Sequence, residues 1–331
     1  MGATARLDDL QQRHTWLGFP VAVIYKYVDD QGGYLAALLT YYGFIALFPL
    51  LLLLVSVLGF VLQDNQDLQQ ALLGSAFEQI PILGPQLQQS ISSIQGSTTG
   101  VVIGILGAVY GVLGASVAIQ AALNRVWAVP YFARPDPVVS RLRGLVLFVL
   151  LGAVLLTTTA LSVVASMATG YGPRIDTGVR IAAFVVAMAA NAGAFLIGFR
   201  VLTARDIALA DLIPGAVCAA VGVQVLQTAG TFLVGRTLTR MSAIYGVFAV
   251  VLGLLAWLYL QSVVVVFSAE INAVRARRLW PRSLLAGIVA DAALTPADEA
   301  AYRSYIRTAR FTPLTQVHTT FDQPPPKNDE S

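Results

Sequence analysis

Residues 244–270 read "IYGVFAVVLGLLAWLYLQSVVVVFSAE". From Ile244 to Phe267 there are 24 residues without a single charge, and as a helix rising about 1.5 Å per residue they extend about 36 Å. The apolar core of a bilayer is about 30 Å thick, so the run is long enough to cross it. It is continuously apolar, whereas a membrane barrel strand alternates over about ten residues. A spanning helix is predicted, because a helix satisfies its backbone hydrogen bonds internally. Glu270 then falls just past the hydrocarbon, at its boundary.

Five earlier stretches meet the same criterion, at about 34–62, 100–123, 144–168, 179–200 and 211–235, with the run above as the sixth, 243–270. Composition agrees. Of 331 residues 56% are hydrophobic and only 12% charged, with a mean hydropathy of +0.71, which excludes an ordinary soluble domain. The expected fold is all-α, a polytopic membrane protein built as a bundle of six transmembrane helices.

Basic residues set the orientation. The N-terminal segment carries Arg6, Arg13 and Lys26, whereas Gln63 to Thr99 has no Lys or Arg. With the N-terminus inside, seventeen of the 21 Lys and Arg residues lie on the cytoplasmic side, as the positive-inside rule requires. Both termini are therefore expected in the cytoplasm. The layout becomes an interfacial cytoplasmic segment 1–33, a membrane domain 34–285 with an extracytoplasmic loop 63–99, and a cytoplasmic helix with a disordered tail over 286–331. The net charge of +3 follows from this sidedness without a nucleic-acid partner, and "RARR" at 275–278 reads as a contact for anionic membrane lipids or a topology signal.

The flanking pieces have their own patterns. "PVAVIYKYV", from Pro20, repeats apolar residues at Val21, Ile24, Tyr25 and Val28, which predicts an amphipathic helix lying flat under the membrane. The Gln- and Ser-rich loop after span one reads as a lid on the outer surface. Thr295 followed by Pro296, Asp298 and Glu299 predicts a helix start, and "FDQPPPKNDES" predicts a disordered end. "MGATARLDDLQQRHTWLGF" lacks the apolar core of a secretory signal, so the first span is expected to direct insertion.

Several chemistries are excluded by what the residues do not supply. Neither Lys26 nor Lys327 follows a glycine, so no G-x-x-x-x-G-K phosphate loop exists. His14 and His318 lie in opposite terminal segments, and no H-E-x-x-H or Cys/His cluster occurs, so no metal, cofactor or catalytic residue is assigned. Cys218 is the only cysteine, so no intramolecular disulfide is possible.

The polar content of the spans remains. Gln224, Gln227, Thr228 and Thr231 are spaced i, i+3, i+4 and i+7 in span five, which puts them on one face. Asn191 lies near the middle of span four, Gln120 and Asn124 form an i, i+4 pair in span two, and Gln261 lies in span six. Two readings stand: hydrogen bonds between helices, or a partly hydrated pathway lined by Asn191, Gln224, Gln227 and Thr228 and closed at the inner boundary by Glu270 with Asn124. For Glu270 itself the alternatives are an ion pair with Arg125 or Arg143 and a gating carboxylate. Small residues at Gly100, Gly104, Gly107, Gly111 and Ala115, and at Ala190, Ala194 and Gly198, predict close helix packing. Pro49 near the centre of span one predicts a kink or hinge.

"LTYYGFIALFPLLLLLVSVLGF" in span one, "LNRVWAVP" after span two, "DLIPGAV" opening span five and "YGVFAVVLGLLAWLYLQSVVVVFSAEINA" in span six resemble the signature segments of the YihY/virulence factor BrkB family, over about residues 16–285. Ala46 stands where the family often has serine before Leu-Phe-Pro, and Ser268 where glycine often precedes Ala-Glu. The resemblance implies a six-helix protein of the bacterial inner membrane, in a family long labelled ribonuclease BN and suspected in some members of transporting lipid-like or amphiphilic compounds. It brings no agreed site residues. The functions in contention are a transporter or flippase for a lipidic or amphiphilic compound, a scaffold that binds partners without transport, and, least supported by the residues, a ribonuclease.

Overall fold

The computed structural model describes residue 8 and residues 10–61, 98–167, 173–233, 239–284, 286 and 293–321. The expected lid between 63 and 97 and the tail beyond Phe321 lie outside the described residues. The helices are α1 (Thr15–Asp29), α2 (Gly32–Val61), α3 (Thr98–Val126), α4 (Pro137–Met167), α5 (Pro173–Leu202), α6 (Leu209–Leu233), α7 (Thr239–Arg277) and α8 (Pro296–Thr308), with a single 3-10 turn at Tyr131–Ala133. No strand occurs among the described residues.

Each predicted span falls on one helix, from α2 to α7. Among the described residues five helices are long and apolar enough to cross a membrane: α2, α3, α5, α6 and α7. The predicted third span falls on α4, a helix of 31 residues. Val149 on α4, Phe184 and Val185 on α5, Val225 on α6 and Leu252 on α7 are all exposed. Such a belt of large apolar side chains is unfavourable against water and favourable against lipid.

Local chemistry explains the helix ends. Asp136 Oδ1 accepts the Val138 and Val139 N–H groups at 3.0 and 2.8 Å, capping α4 just before Pro137, whose missing N–H is no loss in a first turn. Ala128 takes a left-handed φ of 51° and Val129 N donates to Asn124 O at 2.8 Å, which stops α3. Arg278, at φ 52°, stops α7, with Leu279 N donating to Val274 O at 3.0 Å. At Thr295 the predicted start of α8 is a full capping box, in which Thr295 Oγ1 accepts from Asp298 N and the Asp298 side chain accepts from Thr295 N. Thr295→Ala is expected to destabilise the protein by about 1 kcal/mol, read as a lowered unfolding midpoint in detergent; an unchanged midpoint would show that Pro296 alone holds the start.

Glycine lets α2 and α3 approach. A Cβ at Gly111 would stand 2.5 Å from Ala46 Cα, and one at Gly107 would stand 3.0 Å from Pro49 Cγ. Pro49 is therefore packed against α3 inside a helix that runs continuously from Gly32 to Val61. The second expected small-residue face differs: nothing lies within 4 Å of a Cβ at Gly198, so that glycine does not hold two backbones together. The described apolar core sits at one end of the bundle, where Leu123, Trp127, Phe199, Leu212 and Ala273 join α3, α5, α6 and α7.

Candidate functional site

At this end of the bundle α1 turns a polar face inward. Ala22, Lys26 and Asp30, each four residues apart, are completely or almost completely buried, while Ile24 and Val28 are exposed. In the apolar stripe predicted to lie flat under the membrane Ile24 and Val28 thus point away from the protein, Tyr25 is half-buried and donates to Leu284 O at 2.7 Å, and the i, i+4 stripe beside it packs on α7. Lys26 Nζ lies 3.3 Å from Glu270 Oε2 and is paired with Asp30, and it donates to Val126 O at 3.0 Å. Arg125 Nε lies 3.5 Å from Asp30 Oδ1. Four formal charges, two of each sign, are gathered where α1, α3 and α7 meet. Burial pushes the Asp30 carboxyl up, while Lys26 and then Arg125 pull it back toward ionisation.

The partner of Glu270 is therefore Lys26, and of the two arginines expected to pair with it Arg125 serves Asp30 instead. An interior cation is the natural partner for a fully buried carboxylate, because Coulomb attraction must offset desolvation at short range. Two turns of α7 follow Glu270.

A second cluster ties the chain ends together. Arg282, 1% exposed, donates through Nε to Asp298 Oδ1 at 2.8 Å and through Nη1 to Asp29 Oδ2 at 2.6 Å. Burial opposes its charge, but Asp298 and Asp29 overcome this and hold the guanidinium above its ordinary value. Tyr305 Oη donates to Asp29 Oδ2 at 3.2 Å, and burial pushes the Tyr305 hydroxyl up, which keeps it a neutral donor. The Tyr305 ring also lies 5.4 Å from Lys26 Nζ, so the two clusters touch. Asp8 reaches the same region, accepting from Leu284 N at 2.8 Å.

The buried amides nearby act as clamps. Asn124 Oδ1 accepts Ala204 N at 2.8 Å, fixing the turn between α5 and α6. Gln120 does not bond to Asn124; its Nε2 donates to Ser140 O at 2.8 Å and to Ser116 Oγ at 3.0 Å, joining α3 to α4. Asn272, which sequence reasoning passed over, accepts Gly215 N at 2.7 Å and donates to Leu212 O at 3.1 Å. Pro214 has no N–H to give Ala210 O one turn back, and that carbonyl accepts from Arg275 Nη1 at 3.3 Å.

The residues expected to line a pathway are elsewhere. Asn191 is half-buried, and its Nδ2 donates to Ala187 O at 3.0 Å, one turn back on α5. Gln224 and Gln227 are half-buried on α6, and the exposed Thr228 donates to Gln224 O at 3.0 Å. These bonds of Asn191 and Thr228 run within single helices. A cavity of about 10 Å³ lies between α2, α3 and α7, lined by apolar residues that include Leu39, Leu123 and Ala269, and these pathway residues do not line it. Among the described residues no group of three or more His, Cys, Asp or Glu is placed to hold a metal ion.

Helices of this length and apolarity, whose buried charges among the described residues lie where the terminal segments fold back on the bundle, define a multi-pass α-helical membrane protein. Residues 23–286 match the family described as Virulence factor BrkB, and the chain belongs to that family, which is not a known catalytic one. The chain is also 26% identical over 271 residues to a UPF0761 membrane protein from Psychrobacter sp. (strain PRwf-1), an alignment covering 78% of this chain and 48% of the relative. It thus spans about half the length of the curated relative it matches. No solved structure matches the chain.

Proposed function

We propose that the chain is a transporter of lipidic or amphiphilic compounds in the bacterial inner membrane, with six spans of which α4 is the third, and with both termini in the cytoplasm. One observation carries the reading: Gln261 Oε1, six residues inside the end of the apolar stretch of α7, is buried with no hydrogen-bond partner among the described residues. The seam between α6 and α7, set by Gly215 against Asn272 and Gly222 against Val264, brings Gln224 and Gln227 to the level of Gln261. A buried amide oxygen such as Gln261 Oε1 is costly unless something polar visits it. A role in joining helices is already filled by Gln120, Asn124 and Asn272, all nearer the end of the bundle.

In this mechanism a polar headgroup passes Asn191, Gln224 and Gln227 while its chains stay in lipid, and Glu270 with Asn124 bounds the inner end. The orientation is supported by the division of basic residues and by the packing of both chain ends at one end of the bundle. Vesicles with and without reconstituted protein, loaded with a panel of fluorescent phospholipids and single-chain amphiphiles, test the proposal. Transport is expected with protein, and slower by about three- to tenfold in Gln224→Leu and Gln261→Leu, the loss of one hydrogen bond each. Equal rates with and without protein across the panel would remove the proposal.

A further inference from the structure

The chain leaves α8 at Thr308 and is fastened at once to the turn between α3 and α4. Arg310 O accepts Phe132 N at 3.3 Å, and the Phe311 ring stacks on the Tyr131 ring, with centroids 4.7 Å apart and an interplanar angle of 11°. Two arginines brace the stack. Arg134 donates to Val129 O through Nη2 at 3.3 Å and through Nε at 3.4 Å, and its guanidinium lies 4.0 Å from the centre of the Tyr131 ring. Arg310 Nη2 donates to Pro313 O at 3.0 Å, and its guanidinium lies 5.1 Å from the centre of the Phe132 ring. Thr312 and Thr315 then close a turn, with Thr315 N donating to Thr312 O at 3.3 Å and the two hydroxyls 2.8 Å apart.

These contacts hold apolar side chains outward. Leu314, in the turn, is 92% exposed, Phe311 is 69% and Tyr131 47% exposed, and Phe132 is exposed as well. An ordered turn that presents leucine and aromatic rings is favourable only against an apolar neighbour. Its place in the chain says which neighbour. Arg134 lies three residues before Pro137, where α4 begins, and Val138 and Leu142 in the first turns of α4 are exposed apolar residues at the head of the belt that continues to Val149. The patch therefore stands at the depth where headgroups meet acyl chains. Aromatic rings concentrate there, and arginine suits it, because its stem lies along apolar surface while its charge stays among headgroups. Lipid is already the neighbour of α4 at this level, whereas a protein partner would have to displace it.

We infer that Tyr131, Phe132, Phe311 and Leu314 form a foot that sits in the headgroup and upper acyl layer of the bilayer and moors the segment after α8 to the membrane. The inference rests on α4 being a span and is separate from transport.

Cys218→Ser removes the only cysteine, after which Leu314→Cys and, in a separate chain, Val149→Cys are labelled with a polarity-sensitive dye. The full chain is placed in nanodiscs of phosphatidylethanolamine and phosphatidylglycerol, which leave both faces open to solutes, and quenching by nitroxide-labelled lipids is compared with quenching by iodide. At position 314 a nitroxide high in the acyl chain is expected to quench strongly, and iodide about threefold less than it quenches the free dye. Tyr131→Ser combined with Phe311→Ser should bring iodide quenching at 314 up to that of the free dye and leave quenching at 149 as it was, which shows the bundle intact. Free access of iodide at 314, with lipid quenching retained at 149, overturns the inference and leaves the span in place. Absence of lipid quenching at both positions removes the span as well. Protection at 314 from iodide and lipid alike means that protein, such as a second copy of the chain, covers the patch, and protection that survives the double substitution means that the stack does not hold it; either result overturns the inference.

Discussion

Lys26→Met is expected to lower the stability of the protein by about 3–5 kcal/mol, the range found when one partner of a buried ion pair is removed. Lys26 is 0% exposed and is shared by two carboxylates, Asp30 and Glu270, that are 1% and 0% exposed. Without it Arg125, at 3.5 Å from Asp30, is left as the near cation, and Glu270 has none at pairing distance among the described residues. Glu270→Gln in the Lys26→Met background should restore part of the loss, because Asp30 and Arg125 then balance. A double-mutant cycle read from unfolding midpoints in detergent should give a coupling of about 1–3 kcal/mol. Arg303→Gln, which breaks a largely solvated i, i+4 pair, should cost about 0.5 kcal/mol or less. If Lys26→Met melts with the parent, the cluster is not what holds α1 against α7.

The contrast between Lys26 and the rest of the chain shows what the sequence could and could not reveal. All six stretches predicted as spans are helical where described, because length and continuous apolarity are local properties that the bilayer makes decisive. The start of α8 was legible for the same reason: Thr295, Pro296 and Asp298 act on each other within one turn. The inward face of α1 was not legible. Val21, Ile24, Tyr25 and Val28 predict a helix lying flat under the membrane, and Ile24 and Val28 are exposed, but nothing in that stripe says that Lys26, on the other side of the helix, is buried against protein. In a membrane protein the apolar stripe of a boundary helix is free to face lipid, so hydrophobic periodicity alone does not say which side meets protein.

The charge clusters were half visible. Glu270 stood out as a carboxylate that required a cation, and Lys26 and Asp30 stand four residues apart, the spacing of helical neighbours. Nothing local joins position 26 to position 270, however, and the nearer choice in the predicted topology was an arginine between spans two and three. Arg282 was likewise one more residue in a basic tail until Asp29 and Asp298 closed on it. Asn124 and Gln120 looked like a pair because of their spacing, but their amides reach outward to Ala204 and Ser140. Long-range partners of polar residues are set by helix register, which a single sequence does not encode locally.

Gly215→Ala is the second substitution with a large expected effect, and its size follows from what stands around the missing methyl. A Cβ there would lie 2.2 Å from Ser268 O and 2.4 Å from Asn272 Nδ2. The first is backbone and cannot swing aside, so α6 must move away from α7. That movement also breaks the Gly215 N to Asn272 Oδ1 bond in a buried site. Overpacking costs about 1–3 kcal/mol and a buried polar group left without its partner about 1–3 kcal/mol more, so a total loss of about 3 kcal/mol or more is expected. Gly222→Ala has Val264 side-chain atoms as its nearest neighbours, Cγ1 at 2.6 Å, and breaks no hydrogen bond of Asn272, so it should cost less. Gly198→Ala meets nothing within 4 Å and should be neutral or stabilising by up to about 1 kcal/mol, since alanine is the better helix former. The order of unfolding midpoints in detergent should therefore be Gly198→Ala highest, Gly222→Ala between, and Gly215→Ala lowest. Should Gly215→Ala match Gly198→Ala, the α6–α7 seam is not closed on backbone at this point, and Asn272 does not clamp α6 there.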